Sequence, residues 1–117
     1  MTIYALSSGS GISGIAVIRI SGSKAEEIVK LITNSQLPKP RQATLRKFIK
    51  INNSELIDEG ILMWFPGPES YTGEDMAEIH VHGSIAVVRA ILDILVCKAS
   101  TTALLPCTCI SAISSPV

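Results

Sequence analysis

Apolar and polar positions along the chain fall into short, legible blocks. Ile3-Tyr4-Ala5-Leu6 is an apolar run that predicts a first strand, and the glycine- and serine-rich stretch from Ser7 to Gly14 reads as a loop. Ile15 to Ile20 is apolar at almost every position, the pattern of a central strand covered on both faces. Ser21-Gly22-Ser23 interrupts it, and Ser23 with Glu26 has the spacing of a capping box. The helix that follows carries Ala25, Ile28, Leu31 and Ile32 on one stripe, with Glu26 and Lys30 as an exposed i,i+4 pair. Residues 34–41, with Pro38 and Pro40, cannot continue that helix and form a connector. Ala43 to Ile51 and Leu56 to Phe65 predict two strands joined by a turn at Asn52-Asn53-Ser54. Pro66 to Asp75 is a turn-rich loop, Met76 to His82 alternates strictly, and a last helix runs from about Ser84 to Lys98. Only Arg89, Asp93 and Lys98 mark its wet side, so it should bury against a sheet and against something further, such as a second subunit. The order β, β, α, β, β, β, α predicts an α+β fold: a mixed sheet of about five strands with two to three packed helices.

Length and composition narrow the function classes. A chain of 117 residues supports one core, and its 47% apolar and 17% charged residues exclude intrinsic disorder as its overall state. Ten basic and ten acidic residues cancel, so no broad positive field exists for nucleic acid and any such role needs a local patch or another domain. The apolar run Ile85 to Val96 is broken by Arg89 and Asp93 and is too short to span a bilayer. No basic segment precedes an apolar one at the amino end, and a cytoplasmic protein without membrane partners is expected. Cys97, Cys107 and Cys109 are odd in number and too clustered for a disulfide framework, and the last two lack zinc-knuckle spacing. All twenty charged residues lie in 1–98. The uncharged stretch Ala99–Val117 has no trustworthy periodicity and is expected to be a divergent tail.

Three features could carry chemistry. Gly9-Ser10-Gly11-Ile12-Ser13-Gly14 satisfies G-x-G-x-x-G, but it leads into a strand rather than a helix and so reads as an inter-strand loop. No phosphate-loop motif occurs, which excludes GTP or ATP hydrolysis by that route in this chain. Arg19 starts among Val17, Ile18 and Ile20, where a guanidinium must be paired or meet a ligand. On the alternating strand, Glu78, His80 and His82 share one face, spaced about 7 Å apart by strand rise, while Ala77, Ile79 and Val81 face the core. That row suits a metal centre, the wall of an organic ligand pocket, or a solvated sheet face.

The particular residues go further than the pattern. Gly14-Ile15-Ala16-Val17-Ile18-Arg19-Ile20-Ser21-Gly22, Leu37-Pro38-Lys39-Pro40-Arg41, Ile57-Asp58-Glu59-Gly60, Phe65-Pro66-Gly67-Pro68-Glu69-Ser70-Tyr71-Thr72-Gly73-Glu74-Asp75 and Glu78-Ile79-His80-Val81-His82-Gly83 occur in this order. Together they closely resemble the amino-terminal domain of the tRNA modification GTPase family MnmE, also called TrmE. The resemblance covers residues 1 to about 98.

It implies a fold similar to the folate-binding domain of aminomethyltransferases, a homodimer, and binding of 5-formyl- or 5,10-methylenetetrahydrofolate as one-carbon donor. Full-length members add a helical domain with an inserted GTPase, the seat of GTP, magnesium and potassium. With the flavoprotein MnmG they modify C5 of the wobble uridine of certain tRNAs. The family's folate-contacting arginine and glutamate fall on Arg19 and Glu78. No catalytic residue and no metal ligand is carried over to this chain, and His82 is expected to serve the turn into the last helix.

The sequence departs from the family at two places. The glycine loop lacks the usual proline and arginine. After Lys98 the family's Phe-Leu-Asn-x-Lys motif, whose lysine helps hold folate, does not follow, and a truncated or frame-shifted product is the expectation for 99–117. Two alternatives remain beside the binding module: a metal-dependent enzyme using Glu78, His80 and His82, and a folded remnant that binds nothing.

Overall fold

The structure, a computed structural model, describes residues 2–6 and 14–98. The glycine loop before Gly14 and the stretch 99–117 lie outside the described residues. The elements are β1 (Ile3–Leu6), β2 (Ile15–Ser21), α1 (Ala25–Thr33), β3 (Thr44–Ile49), β4 (Leu56–Phe65), β5 (Met76–His82) and α2 (Ile85–Lys98). They form one five-stranded sheet in the order β1-β2-β5-β4-β3.

The expected α+β class and five strands are present, with two helices, but the ladders between named strands are all antiparallel rather than mixed. The connectivity explains the difference. After β2, α1 carries the chain across to the far edge. The meander β3-β4-β5 then works back until β5 lies antiparallel beside β2. A parallel neighbour would need a further crossover. The one parallel contact outside the strands is an isolated bridge from Pro40 to Trp64.

Period-two alternation divides the sheet. One face carries Tyr4, Ala16, Ile18, Ile20, Phe48, Leu62, Trp64, Ala77, Ile79 and Val81, packed against Ala25, Ile28, Val29 and Ile32 of α1 and Ile91 and Leu95 of α2. Burying a side chain such as Ile18 or Ile79 contributes about 1.5–3 kcal/mol. Beyond the helix-covered face, β2 is only half-buried, and Ile15 is 60% exposed. The apolar run therefore does not mean cover on both faces here.

Local signals worked unevenly. Glu26 and Lys30 pair at 2.8 Å as expected. Val29, not Leu31, completes the buried stripe of α1, and Leu31 is exposed. The expected Ser23–Glu26 capping box is absent: α1 starts one residue later, with Lys24 at its N-cap position and no side-chain cap. The Lys24 N–H instead donates to Thr2 Oγ1 at 2.8 Å, a partner just ahead of β1 and far from the local sequence. Asn34 closes α1 in the left-handed conformation (φ 49°). At α2, Ser84 Oγ accepts the Val87 N–H at 3.2 Å.

Candidate functional site

The second face of the sheet carries no helix among the described residues, and the strand registers set its side chains in transverse rows. Ala5, Arg19, Glu78 and Met63 form one row, and Val17, His80, Ile61 and Leu45 form the next. Ile3, Ser21, Met76 and Phe65 form a third. Arg19 and Glu78 are thus directly opposed across the β2–β5 ladder, as side chains on one face must be at a shared register position.

Glu78 is 9% exposed, which makes its partners decisive. Arg19 Nε donates to Glu78 Oε2 at 2.9 Å, and His80 Nε2 lies 2.7 Å from Glu78 Oε1. A carboxylate buried without partners would cost several kcal/mol. Burial pushes the Glu78 carboxyl up, but the hydrogen bonds from His80 and Arg19 and the nearby charge outweigh it and hold it below the usual glutamate value. The site therefore presents a fixed anion in apolar surroundings. Its guanidinium partner remains half-exposed.

His82 separates from the row. Its ring Nδ1 meets Asp58 at 2.9 and 3.0 Å, and its backbone N–H donates to Asp58 Oδ2 at 2.9 Å. These bonds from His82 outweigh partial burial and lower the Asp58 carboxyl below its ordinary value. His82 is accordingly a clasp between the start of β4 and the end of β5, which ties it to β4 rather than to the turn into α2 where its role was expected. With His80 on Glu78 and His82 on Asp58, the row does not converge, and no group of three or more metal-ligating side chains occurs among the described residues. The proposed metal centre of Glu78, His80 and His82 has no geometric basis.

A cavity of about 140 Å³ opens beside Arg19, lined by Ile3, Ala5, Arg19, Ser21, Tyr71, Thr72 and Met76. Its size is well below the roughly 300–1,000 Å³ that encloses a whole drug-sized ligand, so it can enclose only one ring system of an extended molecule. Glu78 stands behind Arg19 rather than on the cavity wall. Sequence reasoning singled out Arg19 and Glu78 but passed over Tyr71, Thr72 and Asp58 as individual residues. Their signal was membership in the Ser70-Tyr71-Thr72-Gly73 and Ile57-Asp58-Glu59-Gly60 blocks. The roof of the cavity is the loop from Pro66 to Asp75, which is tied down at several points. Asp75 accepts the Gly67 N–H through Oδ1 and the Gly22 N–H through its carbonyl, each at 2.9 Å. Ser21 Oγ and Thr72 Oγ1 share a 2.6 Å hydrogen bond.

A larger groove of about 540 Å³ lies elsewhere, between α2 and the β3–β4 turn, lined by residues such as Ile51, Ala90, Ile94 and Cys97. It holds none of the residues above.

Comparison with known proteins completes the picture. The family described as "GTP-binding protein TrmE N-terminus" matches residues 2–104. The tRNA modification GTPase MnmE of Pelagibacter ubique is 68% identical over 91 residues, 78% of this chain and 20% of that protein. The mitochondrial 5-taurinomethyluridine-[tRNA] synthase subunit GTPB3 of Danio rerio is 50% identical over 94 residues, 80% of this chain and 19% of that protein. The MnmE of Zymomonas mobilis is 48% identical over 94 residues, 80% of this chain and 22% of that protein. The chain thus spans about a fifth of the length of the curated relatives it matches. With all of its described residues inside the matched region, the chain belongs to the TrmE amino-terminal family.

Proposed function

We propose that residues 1–98 are the folate-binding and dimerisation module of a cytoplasmic tRNA modification GTPase, with Arg19 and Glu78 holding 5-formyl- or 5,10-methylenetetrahydrofolate. The observation that carries this reading is the buried Glu78 carboxylate, kept ionised and oriented by Arg19 and His80 beside a ring-sized cavity. A pterin has a 2-amino-4-oxopyrimidine edge whose adjacent N–H donors match the two oxygens of one carboxylate, and the donor and acceptor types present fit it.

Bound folate would supply a one-carbon unit, in this reading for C5 of the wobble uridine together with MnmG and tRNA. The names of the relatives, which speak of tRNA modification and of a taurinomethyluridine, support that direction. What this chain's own residues do is bind and orient. Both Glu78 oxygens have a protein partner already, so a carboxylate with about four lone-pair sites must accept the ligand alongside them or release Arg19 to it. His80 keeps the carboxylate aimed while that exchange takes place. The helix-free face around the site, with Ile15 and Leu45 each 60% exposed, supports burial against a second copy of the chain.

Titration of the chain with 5-formyltetrahydrofolate tests the reading. Glu78→Ala should weaken binding about ten- to a hundred-fold, the equivalent of the 1.5–3 kcal/mol of a charge-assisted hydrogen-bonded contact. An unchanged affinity rejects the role of Glu78.

A further inference from the structure

We propose that Tyr71 is the stacking residue of this site, the side chain that covers the flat face of the ligand's ring beside Arg19. The inference rests on the folate reading above and adds to it a contact that family resemblance does not assign. Tyr71 is 82% exposed, yet its ring lies 5.3 Å over the Arg19 guanidinium carbon. An aromatic ring left in water is ordinarily a free tip on a loose loop. This one sits on a loop tied down on both of its sides. Next to it, Thr72 is clasped to Ser21 of β2 at 2.6 Å. Just before it, the Ser70 hydroxyl donates to the Glu74 carbonyl. Gly73 adopts φ 80°, which lets the chain turn back under the ring. The hydroxyl clasp therefore aims the ring at the cavity.

The chemistry of the contact follows from what Tyr71 now covers. A guanidinium and a pyrimidinone ring are both flat, and an aromatic face accepts either one. Tyr71 rests on Arg19, and Arg19 rests through Nε on Glu78, so both partners of the ring lie in one connected set. The cavity wall opposite the loop is small and apolar, formed by Ala5 and Ile3, with Met76 at its side. Among the described residues lining it, Tyr71 is the one aromatic. A ring entering there meets sheet on one side and Tyr71 on the other. The arrangement suits a ligand that presents a flat pyrimidinone ring.

The test is calorimetric titration of the whole chain with 5-formyltetrahydrofolate, paired with urea unfolding of each variant. Tyr71→Ala should raise Kd by about ten-fold or more, the range of one lost aromatic-to-base stack. Tyr71→Phe keeps the ring and should bind within about two-fold of the native chain. Because the side chain is exposed, neither substitution should move the unfolding midpoint. Thr72→Val, which breaks the clasp on Ser21 but leaves the ring, should weaken binding to an intermediate degree. Native affinity in Tyr71→Ala overturns the stacking role. So does a loss in Tyr71→Phe as large as that in Tyr71→Ala, since the hydroxyl would then be the contact. If the unsubstituted chain does not bind the folate at all, the folate reading itself fails, and this inference falls with it.

Discussion

Glu78 joins stability to function through its charge. Its carboxyl titrates below the ordinary glutamate value of 4.5 in the folded chain, because the hydrogen bonds from His80 and Arg19 overcome burial. A group whose folded pKa is lowered contributes stability that is present above the unfolded value and is lost as pH falls through the folded one. Asp58, lowered from 3.8 chiefly by bonds from His82 against burial, acts in the same sense. The chain should therefore lose stability over the acid interval that begins near these ordinary values, as pH falls below about 5. Glu78→Gln should be less stable at neutral pH and lose less over that interval. Urea midpoints measured across the range check this, and equal slopes for both proteins would show that the Glu78 contacts do not form.

At the scale of elements, the β4–β5 crossing depends on Gly60. A Cβ placed there would lie 2.1 Å from the His80 carbonyl oxygen and 3.2 Å from Val81 Cγ1. The nearest obstacle is backbone, which cannot swing aside. Gly60→Ala should cost about 1–3 kcal/mol, read as a lowered urea midpoint, and should also weaken the site by displacing His80. The boundaries of β1 and β4 were legible from local apolar runs bounded by turn-forming residues, and β5 from its period-two alternation. So was the shared face of Glu78 and His80. That Arg19 opposes Glu78 was not legible, since alternation fixes a face but never a partner across the ladder. The start of α1 was misplaced by a residue because its first N–H group finds Thr2, a partner twenty-two positions away. Leu31 was misassigned because a helix stripe read without its sheet leaves the stripe's edge open. Tyr71 escaped because exposure, which sequence reads as neutral, is what a stacking residue needs.

For the whole molecule, both helices lie on one face, and the other presents Ile15, Val17, Leu45, Ile61, Met63 and Phe65 around a polar centre. No helix among the described residues is long and apolar enough to cross a membrane. Under the proposal that a second copy covers it, sedimentation should give a dimeric mass. Replacing Ile15 and Leu45 together with glutamate should shift that mass to the monomer while the core, which neither residue enters, keeps its unfolding midpoint. A native chain that stays monomeric at about 100 μM, well above a micromolar Kd, would count against the dimer.

The Arg19–Glu78 bond joins positions fifty-nine residues apart, and it needs β2 and β5 paired in register. On the ribosome, β2 emerges early and waits through a helix and a full meander for its neighbour. Such distant closure makes for slow assembly. A nascent chain halted between β4 and β5 would have five of its seven elements and no Arg19–Glu78 pair. The pocket therefore reports that synthesis has passed β5, and a ligand that binds it would reward only those chains whose central ladder has closed.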